Sequence, residues 1–495
     1  MVNIKMNIKN LLAKACINYD SNINNHYINA IKDDSRTVKE NDVFFAIKGG
    51  QVDGKSYINE AINKGAKTII YEGEISKENH NINYIKVINI KRVLALFCRI
   101  YYRDITKKIK LIGITGTNGK TTISTLLFDF LSYSGEEAIL IGTNGIYFKD
   151  EHFHTSNTTP SILQTYDILK ETVNKGAKYL IMEVSSIGIR ESRILYFDFD
   201  IVIFTNLGHD HLDYHKNITD YKFSKAYLLW SVENHPKKAV IMNSDDENYS
   251  FLSSLIKTNI ITYGIKNSPN YCAHNIVKSL HDTTFEITVN EKLHKVKTSL
   301  VGGFNIYNLL AVIATINFLK IDIASFVDFL KIYVSISGRM NKIIYKSRTI
   351  IIDFAHTPSS LINVLSSLKE FTNQKITVVI GCGGNRDISK RSLIAEIAIK
   401  YANKVIFTTD NPRDEDPMNI INDMIKNINS NNFSIILDRK EAIIKVLNES
   451  QHDEVIAILG KGSERSQIIN GINHPFSDKE VVYNWIKKNS DISYK

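Results

Sequence analysis

Apolar, β-branched runs that stop abruptly at polar residues recur along this chain. Tyr179-Leu-Ile-Met182 runs into Glu183-Val-Ser-Ser186, and Ile201-Val-Ile-Phe204 into Thr205-Asn206. Ile350-Ile-Ile352 leads to Asp353-Phe-Ala-His356, and Val378-Val-Ile380 to Gly381-Cys-Gly-Gly384. Val405-Ile-Phe407 leads to Thr408-Thr-Asp-Asn-Pro-Arg413, and Val455-Ile-Ala-Ile-Leu459 to Gly460-Lys-Gly462. Continuous apolar runs suit strands buried on both faces of a parallel sheet. Ligands of open α/β sheets bind beyond the carboxyl ends of the strands. The six tails are therefore where chemistry is expected, in two separate α/β units.

Three blocks follow from the same pattern. Residues 1–106 hold short strand-like runs (Val43 to Ile47, Thr68 to Tyr71, Tyr84 to Ile88) and a helical stretch, Tyr57 to Lys64. The charged run Asp104 to Lys108 precedes a second block, 107–337. That block opens with the strand Lys110-Leu-Ile-Gly-Ile114, a Gly-rich turn and an amphipathic run from Thr121 to Ser132. A pattern change near Ser335 to Gly338 opens a third block, 338–495, which alternates strand and helix again. No internal repeat or low-complexity tract interrupts them.

Composition agrees with this division. At roughly 100–200 residues per domain, a chain of 495 residues suits three domains. Hydrophobic residues make up 43% and charged residues 23%, as in ordinary globular proteins. The net charge of +9 is spread over scattered lysines with no block of like charge, so a solvated surface is expected, not a nucleic-acid partner. A basic balance also suits an anionic, phosphate-bearing substrate. Cys16, Cys98, Cys272 and Cys382 lie far apart with no CxxC pair, which argues against a disulfide framework and fits a reducing, cytoplasmic setting. The first residues, MVNIKMNIKN, lack the apolar core of a targeting segment, and no run approaches the ~18 apolar residues of a membrane span.

The Gly-rich turn carries the clearest chemistry. It reads Gly113-Ile-Thr-Gly116-Thr117-Asn118-Gly119-Lys120-Thr121-Thr122 between a strand and a helix. Its backbone N–H groups and the helix N-terminus can cradle phosphates. Lys120 can reach the β- and γ-phosphates, and the Thr121 hydroxyl can ligand Mg²⁺. Glu183, at a strand tip, could hold the same cation. His209, His211, Asp213 and His215 invite a zinc-hydrolase reading, but no Cys or Glu/His helix pair supports it, and a phosphate loop lies upstream. His211 is the favoured ligand to a nucleotide-associated magnesium, whereas His209 and His215 also suit a polar loop.

TGTNGKTT, MEVSS, TNLGHDHLDYH, GGFNIYN, SGRM and DFAHTP occur in that order. Together they resemble the Mur ligase superfamily almost end to end. Asp34-Ser-Arg36, Asp53-Gly54, Asn157-Thr-Thr-Pro160, GCGGNRD, DNPR and GKGSE resemble the members that add the third amino acid to the UDP-MurNAc peptide of peptidoglycan. The resemblance implies a three-domain α/β fold, with a central P-loop-type ATPase domain and a C-terminal Rossmann-like domain that binds the amino acid. It also implies a UDP-MurNAc-binding domain at the N-terminal end and a monomer.

By the same resemblance, Lys225 is the lysine carbamylated by CO₂. A lysine of pKa ~10.4 is a cation and no metal ligand, whereas its carbamate is an anionic oxygen donor. Gly116 to Thr122 would bind ATP, with Asn305 and Asn308 on the adenine side. Arg339 and Asp353 would contact phosphate and ribose, and His356 lies beside them. Ser35, Gly50, Gln51 and Val52 match uridine-side positions. Asn157, Thr158, Thr159, Ser185, Glu191 and Arg193 match positions around the rest of the UDP-MurNAc-dipeptide. Arg386, Asp410, Asn411, Pro412, Arg413, Gly460 and Glu464 match the meso-diaminopimelate site, where Arg413 can hold the distal carboxylate as a bidentate pair.

The sequence departs from the family pattern at Ile187, where a His is usual, at Glu191, where a Gln is common, and at Ser463 in GKGSE. These neighbour substrate positions, so a paralogue that adds L-lysine or another amino acid is the alternative. A metal-dependent hydrolase is the alternative from another class. The implied reaction is ATP-dependent peptide ligation through an acyl phosphate, achieved mostly by positioning and charge neutralisation.

Overall fold

A computed structural model describes residues 6–49, 52–75, 79, 81–153, 155, 157–208, 210, 214–232, 234–451 and 453–490. The chain divides into two compact units. One comprises Met1–Gly113, Gly135–Val202 and Tyr227–Lys238; the other comprises Ile114–Ser134, Ile203–Ala226 and Ala239–Lys495. The strands Lys110–Thr115 and Ile201–Phe204 each begin among residues of the first unit and end among those of the second. Among the described residues, no helix is long and apolar enough to cross a membrane.

The first unit contains a parallel four-stranded sheet in the order Ile31–Lys32, Val43–Phe45, Thr68–Tyr71, Asn83–Lys86. Every residue of its two central strands is buried, which explains why they are apolar apart from Thr68. The helix Ile90–Tyr101 starts at Asn89, whose side chain accepts from Arg92 N and satisfies an otherwise unpaired first-turn donor. Ile90, Leu94, Ala95, Phe97, Cys98 and Tyr101 form its buried stripe. In the same unit, Ala138–Gly142 pairs parallel with Tyr179–Glu183 and antiparallel with Gly145–Phe148.

In the second unit, the helix Lys120–Tyr133 buries Thr121 to Ser124 as well as Leu126, Leu127, Phe130 and Leu131. It is thus more enclosed than the amphipathic run Thr121 to Ser132 suggests. A six-stranded sheet runs in the order Asn341–Tyr345, Arg348–Asp353, Val455–Leu459, Ile376–Ile380, Lys404–Phe407, Phe433–Ile435. All its pairings are parallel except the first. Alternate residues face two cores. Ile351, Val378, Val405 and Ala457 join one with Leu361 and Ile394, whereas Ile352, Val379, Ile406 and Ile456 join the other with Ile443 and Trp485. Burial on both faces is why these segments read as continuous apolar runs.

All six apolar runs are strands. Local differences have local causes. The predicted helix Tyr57 to Lys64 is entered through a 3-10 turn, Gly54–Tyr57, because the Asp53 side chain caps Lys55 N; the α-helix itself is Ile58–Asn63. The strands predicted from Val43 to Ile47 and Tyr84 to Ile88 are Val43–Phe45 and Asn83–Lys86. An antiparallel sheet of His274–Lys278, Thr283–Val289 and Lys292–Thr298 adds elements that the apolar runs do not mark. Its strand Thr283–Val289 alternates buried and less buried residues, so it never forms a continuous apolar run.

Candidate active site

The Gly-rich turn joins the strand Lys110–Thr115 to the helix Lys120–Tyr133. Gly119 adopts φ 89° at the helix N-cap, and a Cβ there would press on Asn308 Oδ1. Gly116 has φ 145°, and a Cβ on it would overlap Thr205 Oγ1. Only glycine allows both the backbone angle and the close approach at Gly119. Lys120 Nζ donates to the carbonyls of Gly116 and Thr117, each at 2.8 Å, which holds the ammonium at the loop. Thr205 and Asn206 brace the loop from the next strand tail. Thr205 Oγ1 donates to Asn118 O at 2.6 Å, and Asn206 Oδ1 accepts from Asn118 N at 3.0 Å.

Lys225 lies beneath this loop. Its side chain is buried, and Nζ donates to Gly116 O at 2.8 Å beside the Tyr221 ring. Burial, reinforced by the nearby Lys120 charge, pushes its pKa well below the ordinary lysine value. Tyr221 is buried as well, with its hydroxyl 3.1 Å from Thr117 Oγ1.

A cavity of about 350 Å³ opens beside the loop, lined by Asn118, Gly119, Asn206, Tyr307, Asn308, Arg339, Asp353 and His356 among others. Asn305 and Asn308 are buried on the helix Gly303–Phe318, and Asn308 Nδ2 donates to Asn305 Oδ1 at 3.0 Å. Arg339 Nη2 donates to Thr121 Oγ1 at 2.9 Å, with the guanidinium 4.7 Å from the Phe354 ring centre. Asp353 accepts from Met340 N and Ala355 N. Burial raises its pKa, against the opposing influence of Arg339. His356 Nδ1 lies 2.8 Å from Phe354 O, and desolvation lowers its pKa to about 4. A glycine loop that carries a lysine, beside a cavity with an arginine at its wall, suits a nucleotide polyphosphate.

The first unit gathers a second set. Glu183 is buried, and its carboxylate accepts from Thr143 N at 3.1 Å and Thr143 Oγ1 at 3.0 Å. Thr158 Oγ1 sits 3.2 Å from Thr143 Oγ1. Thr159 Oγ1 donates to Glu183 O at 3.0 Å and lies 3.1 Å from Ser185 Oγ. Arg193 Nη1 donates to Thr159 O at 2.8 Å. Glu191 pairs with Lys91, which balances its charge. Asn157 stands next to this group, its carbonyl accepting from Thr155 Oγ1 at 3.0 Å. Ile187 lies on the short helix Ser186–Arg190, whose N-cap is Ser185. Elsewhere in the unit, Ser35 Oγ donates to Glu60 Oε2 at 2.8 Å, and Val52 is exposed.

The tails of the six-stranded sheet hold a third set in the second unit. Asn411 Nδ2 donates to Glu464 Oε2 at 2.9 Å, and Asp410 Oδ1 accepts from Asn411 N at 2.7 Å. Arg413 adopts φ 53°, and its Nη1 donates to Gly384 O at 2.7 Å. Pro412 packs so closely on Gly384 that a Cβ there would overlap the Pro412 carbonyl. Gly460 has φ 111°, and a Cβ on it would press on Asp410 Oδ2. Arg386 follows Gly383 and Gly384, and a Cβ on Gly383 would lie near the Arg386 side chain.

Sequence reasoning missed Lys461 as a member of this set, although GKGSE contains it. It also missed Thr205 and Asn206 as braces, because the histidines of the same stretch drew the reading. His215 is packed against Tyr221, with its ring Nδ1 3.3 Å from Asp220 Oδ2. Gly50, Gln51, His209, His211 and Asp213 lie outside the described residues.

Three family descriptions match the chain. "Mur ligase family, catalytic domain" covers residues 27–102, "Mur ligase middle domain" 114–316, and "Mur ligase, glutamate ligase domain" 338–462. Relatives from Oceanobacillus iheyensis and Bacillus cereus are both named UDP-N-acetylmuramoyl-L-alanyl-D-glutamate–2,6-diaminopimelate ligase. The first is 36% identical over 98% of this chain and 100% of its own length, and the second is 38% identical over 92% and 94%. A solved structure of a ligase with the same name aligns with TM-score 0.66 and 31% identity, covering 94% of this chain and 96% of that one. MurF ligase from Thermotoga maritima in complex with ADP shares the fold, with TM-score 0.63 and 18% identity over 93% and 98% of the two chains.

Proposed function

Because this chain belongs to the Mur ligase family, we propose that it joins meso-2,6-diaminopimelate to UDP-N-acetylmuramoyl-L-alanyl-D-glutamate at the expense of ATP. The observation that carries this reading is the near end-to-end similarity to ligases of that name. The braced glycine loop beside its cavity supports it independently. We take such precursor synthesis to proceed in the cytoplasm.

In this reading, the loop Gly116 to Thr122 and Lys120 receive the ATP phosphates, and the cavity wall of Asn308, held by Asn305, with Arg339 and Asp353, receives the rest of the nucleotide. Thr143, Thr158, Thr159, Ser185 and Arg193 offer hydroxyls and a guanidinium to the UDP-linked dipeptide. A carboxylate oxygen of the D-glutamyl residue attacks the γ-phosphorus, and ADP departs. The amine of diaminopimelate then attacks the acyl carbon, and the tetrahedral intermediate expels phosphate. Fixed donors stabilise the charge that shifts during these steps. Arg413 and Arg386 would hold the distal carboxylate of the amino acid, and Asp410 and Glu464 its distal ammonium.

The donors suit magnesium. The Thr121 hydroxyl and, in the first unit, the Glu183 carboxylate are hard oxygen ligands. When bound, the cation supplies charge neutralisation at the phosphates. Lys225 fits the carbamate reading because its buried amine, with its pKa pushed down, is more available in the neutral, nucleophilic form that adds to CO₂.

The test is phosphate release from ATP by the purified protein with UDP-MurNAc-L-Ala-D-Glu and a panel of amino acids. Release that requires the dipeptide substrate and is fastest with meso-diaminopimelate is expected. Faster release with L-lysine would overturn the amino-acid assignment, and no release with any amino acid would overturn the ligase reading.

A further inference from the structure

Lys461 lies between Gly460 and Gly462, and both glycines take positive φ, 111° and 53°. The bends bring the segment against three neighbours. A Cβ on Gly460 would press on Asp410 Oδ2, and one on Gly462 on Phe354 and Gly338 O. The backbone is tied as well, with Gly460 N donating to Asp353 O at 3.1 Å. The segment therefore runs from the wall of the nucleotide cavity to the Asp410-Asn411 loop.

The Lys461 side chain is completely buried there. Its Nζ donates to Asn411 Oδ1 at 2.9 Å and to Glu464 Oε2 at 2.6 Å. Asn411 Nδ2 donates to the same Glu464 oxygen at 2.9 Å, which closes a triangle of three side chains. Asn411 Oδ1 also accepts from Ile468 N at 3.0 Å, so its amide is held in one orientation. Burying an ammonium is costly unless it is paired and hydrogen-bonded. The arrangement meets that condition by committing one oxygen of Glu464 and one of Asn411 to the lysine. Glu464, by contrast, is partly exposed.

We infer that Lys461 is a positioning residue for the incoming amino acid: its ammonium, together with Asn411, fixes Glu464 in the orientation that receives the distal ammonium group of the substrate. The inference rests on the ligase reading above. Lys461 touches no reacting atom. Its loss releases Glu464 and the Asn411 amide that braces it into alternative rotamers and removes the charge that balances Glu464. The cost falls on capture of the amino acid and spares nucleotide binding.

The experiment compares wild type, Lys461→Met, Glu464→Gln and the double variant in phosphate-release kinetics, varying each substrate in turn, beside thermal melts. For Lys461→Met, a rise of at least tenfold in the KM for the amino acid is expected, with the KM values for ATP and the UDP-linked dipeptide within twofold of wild type. The double variant should lose little more than Lys461→Met, because the two residues act as one unit. An unchanged amino-acid KM, equal rises in all three KM values, or fully additive losses would overturn the inference. If Lys461→Met does not fold, Glu464→Gln decides: it keeps an acceptor for Lys461, so its amino-acid KM should rise with its melt unchanged, and an unchanged KM would overturn the inference. A wild type that releases no phosphate with any amino acid would instead remove the ligase reading itself.

Discussion

Arg339 donates from Nη2 to the hydroxyl of Thr121 at 2.9 Å, and the two residues are 218 positions apart in sequence. The contact sets a guanidinium at the first turn of the phosphate-loop helix, where anionic groups are favoured. Charge-assisted hydrogen bonds contribute about 1.5–3 kcal/mol each. Arg339→Met is therefore expected to raise the KM for ATP at least tenfold while leaving that for the amino acid within about twofold. Steady-state kinetics with each substrate varied checks this. Equal effects on both would mean that Arg339 acts by holding the fold.

Lys120 caps two loop carbonyls and contributes no apolar packing through its ammonium. Lys120→Ala should abolish ligation while changing stability by no more than about 1–2 kcal/mol, the usual scale for hydrogen bonds at a loop. Turnover measured beside a thermal melt separates the two. Normal turnover would refute the phosphate role.

Lys225 is expected to be essential through its carbamate. Lys225→Ala should lose most activity, and a small carboxylate such as formate or acetate should restore part of it. Depleting CO₂ from the buffer should lower wild-type activity and leave the variant's residual activity unchanged. Full activity of Lys225→Ala would remove the assignment.

Arg413 occupies the left-handed region at φ 53°, where a residue other than glycine is strained by roughly 1 kcal/mol. Arg413→Gly removes the guanidinium and relieves that strain together. The melting temperature should hold within a few degrees, since the loss of the Gly384 contact is offset. The preference for meso-diaminopimelate over L-lysine should narrow at least tenfold, because the guanidinium both holds a carboxylate and repels a bare ammonium. An unchanged ratio of kcat/KM values would show that Arg413 does not select the substrate.

His356 links stability to pH. Its folded pKa is about 4, while an unfolded histidine titrates near 6.5. The unfolded chain therefore binds the proton more readily. The stabilisation is fully present above about pH 6.5 and is lost as pH falls towards 4. His356→Gln should lose less melting temperature than wild type between pH 7 and pH 4.5. Parallel curves for the two proteins would refute the linkage.

The six buried strands and the glycine turn between strand and helix could be read from the chain alone. A strand covered on both faces must be apolar at every position, as Val378 to Ile380 are, and a tight turn before a helix needs glycines where Gly116 and Gly119 stand. These are local demands, met within a few residues of sequence. The motif resemblance added roles for single residues without their contacts. Only the tertiary structure decided that Thr205 and Asn206 brace the loop, that Arg339 meets Thr121, and that Lys461 is buried against Asn411 and Glu464. Most of these partners lie on separate strand tails, dozens to hundreds of positions apart, and sheet order brings the tails together. Lys461 and Glu464 are near neighbours, but the burial that couples them comes from the packed sheet around them. A lysine's charge says nothing of its depth: burial turned Lys225 and Lys461 from two among many solvated cations into fixed, hydrogen-bonded groups.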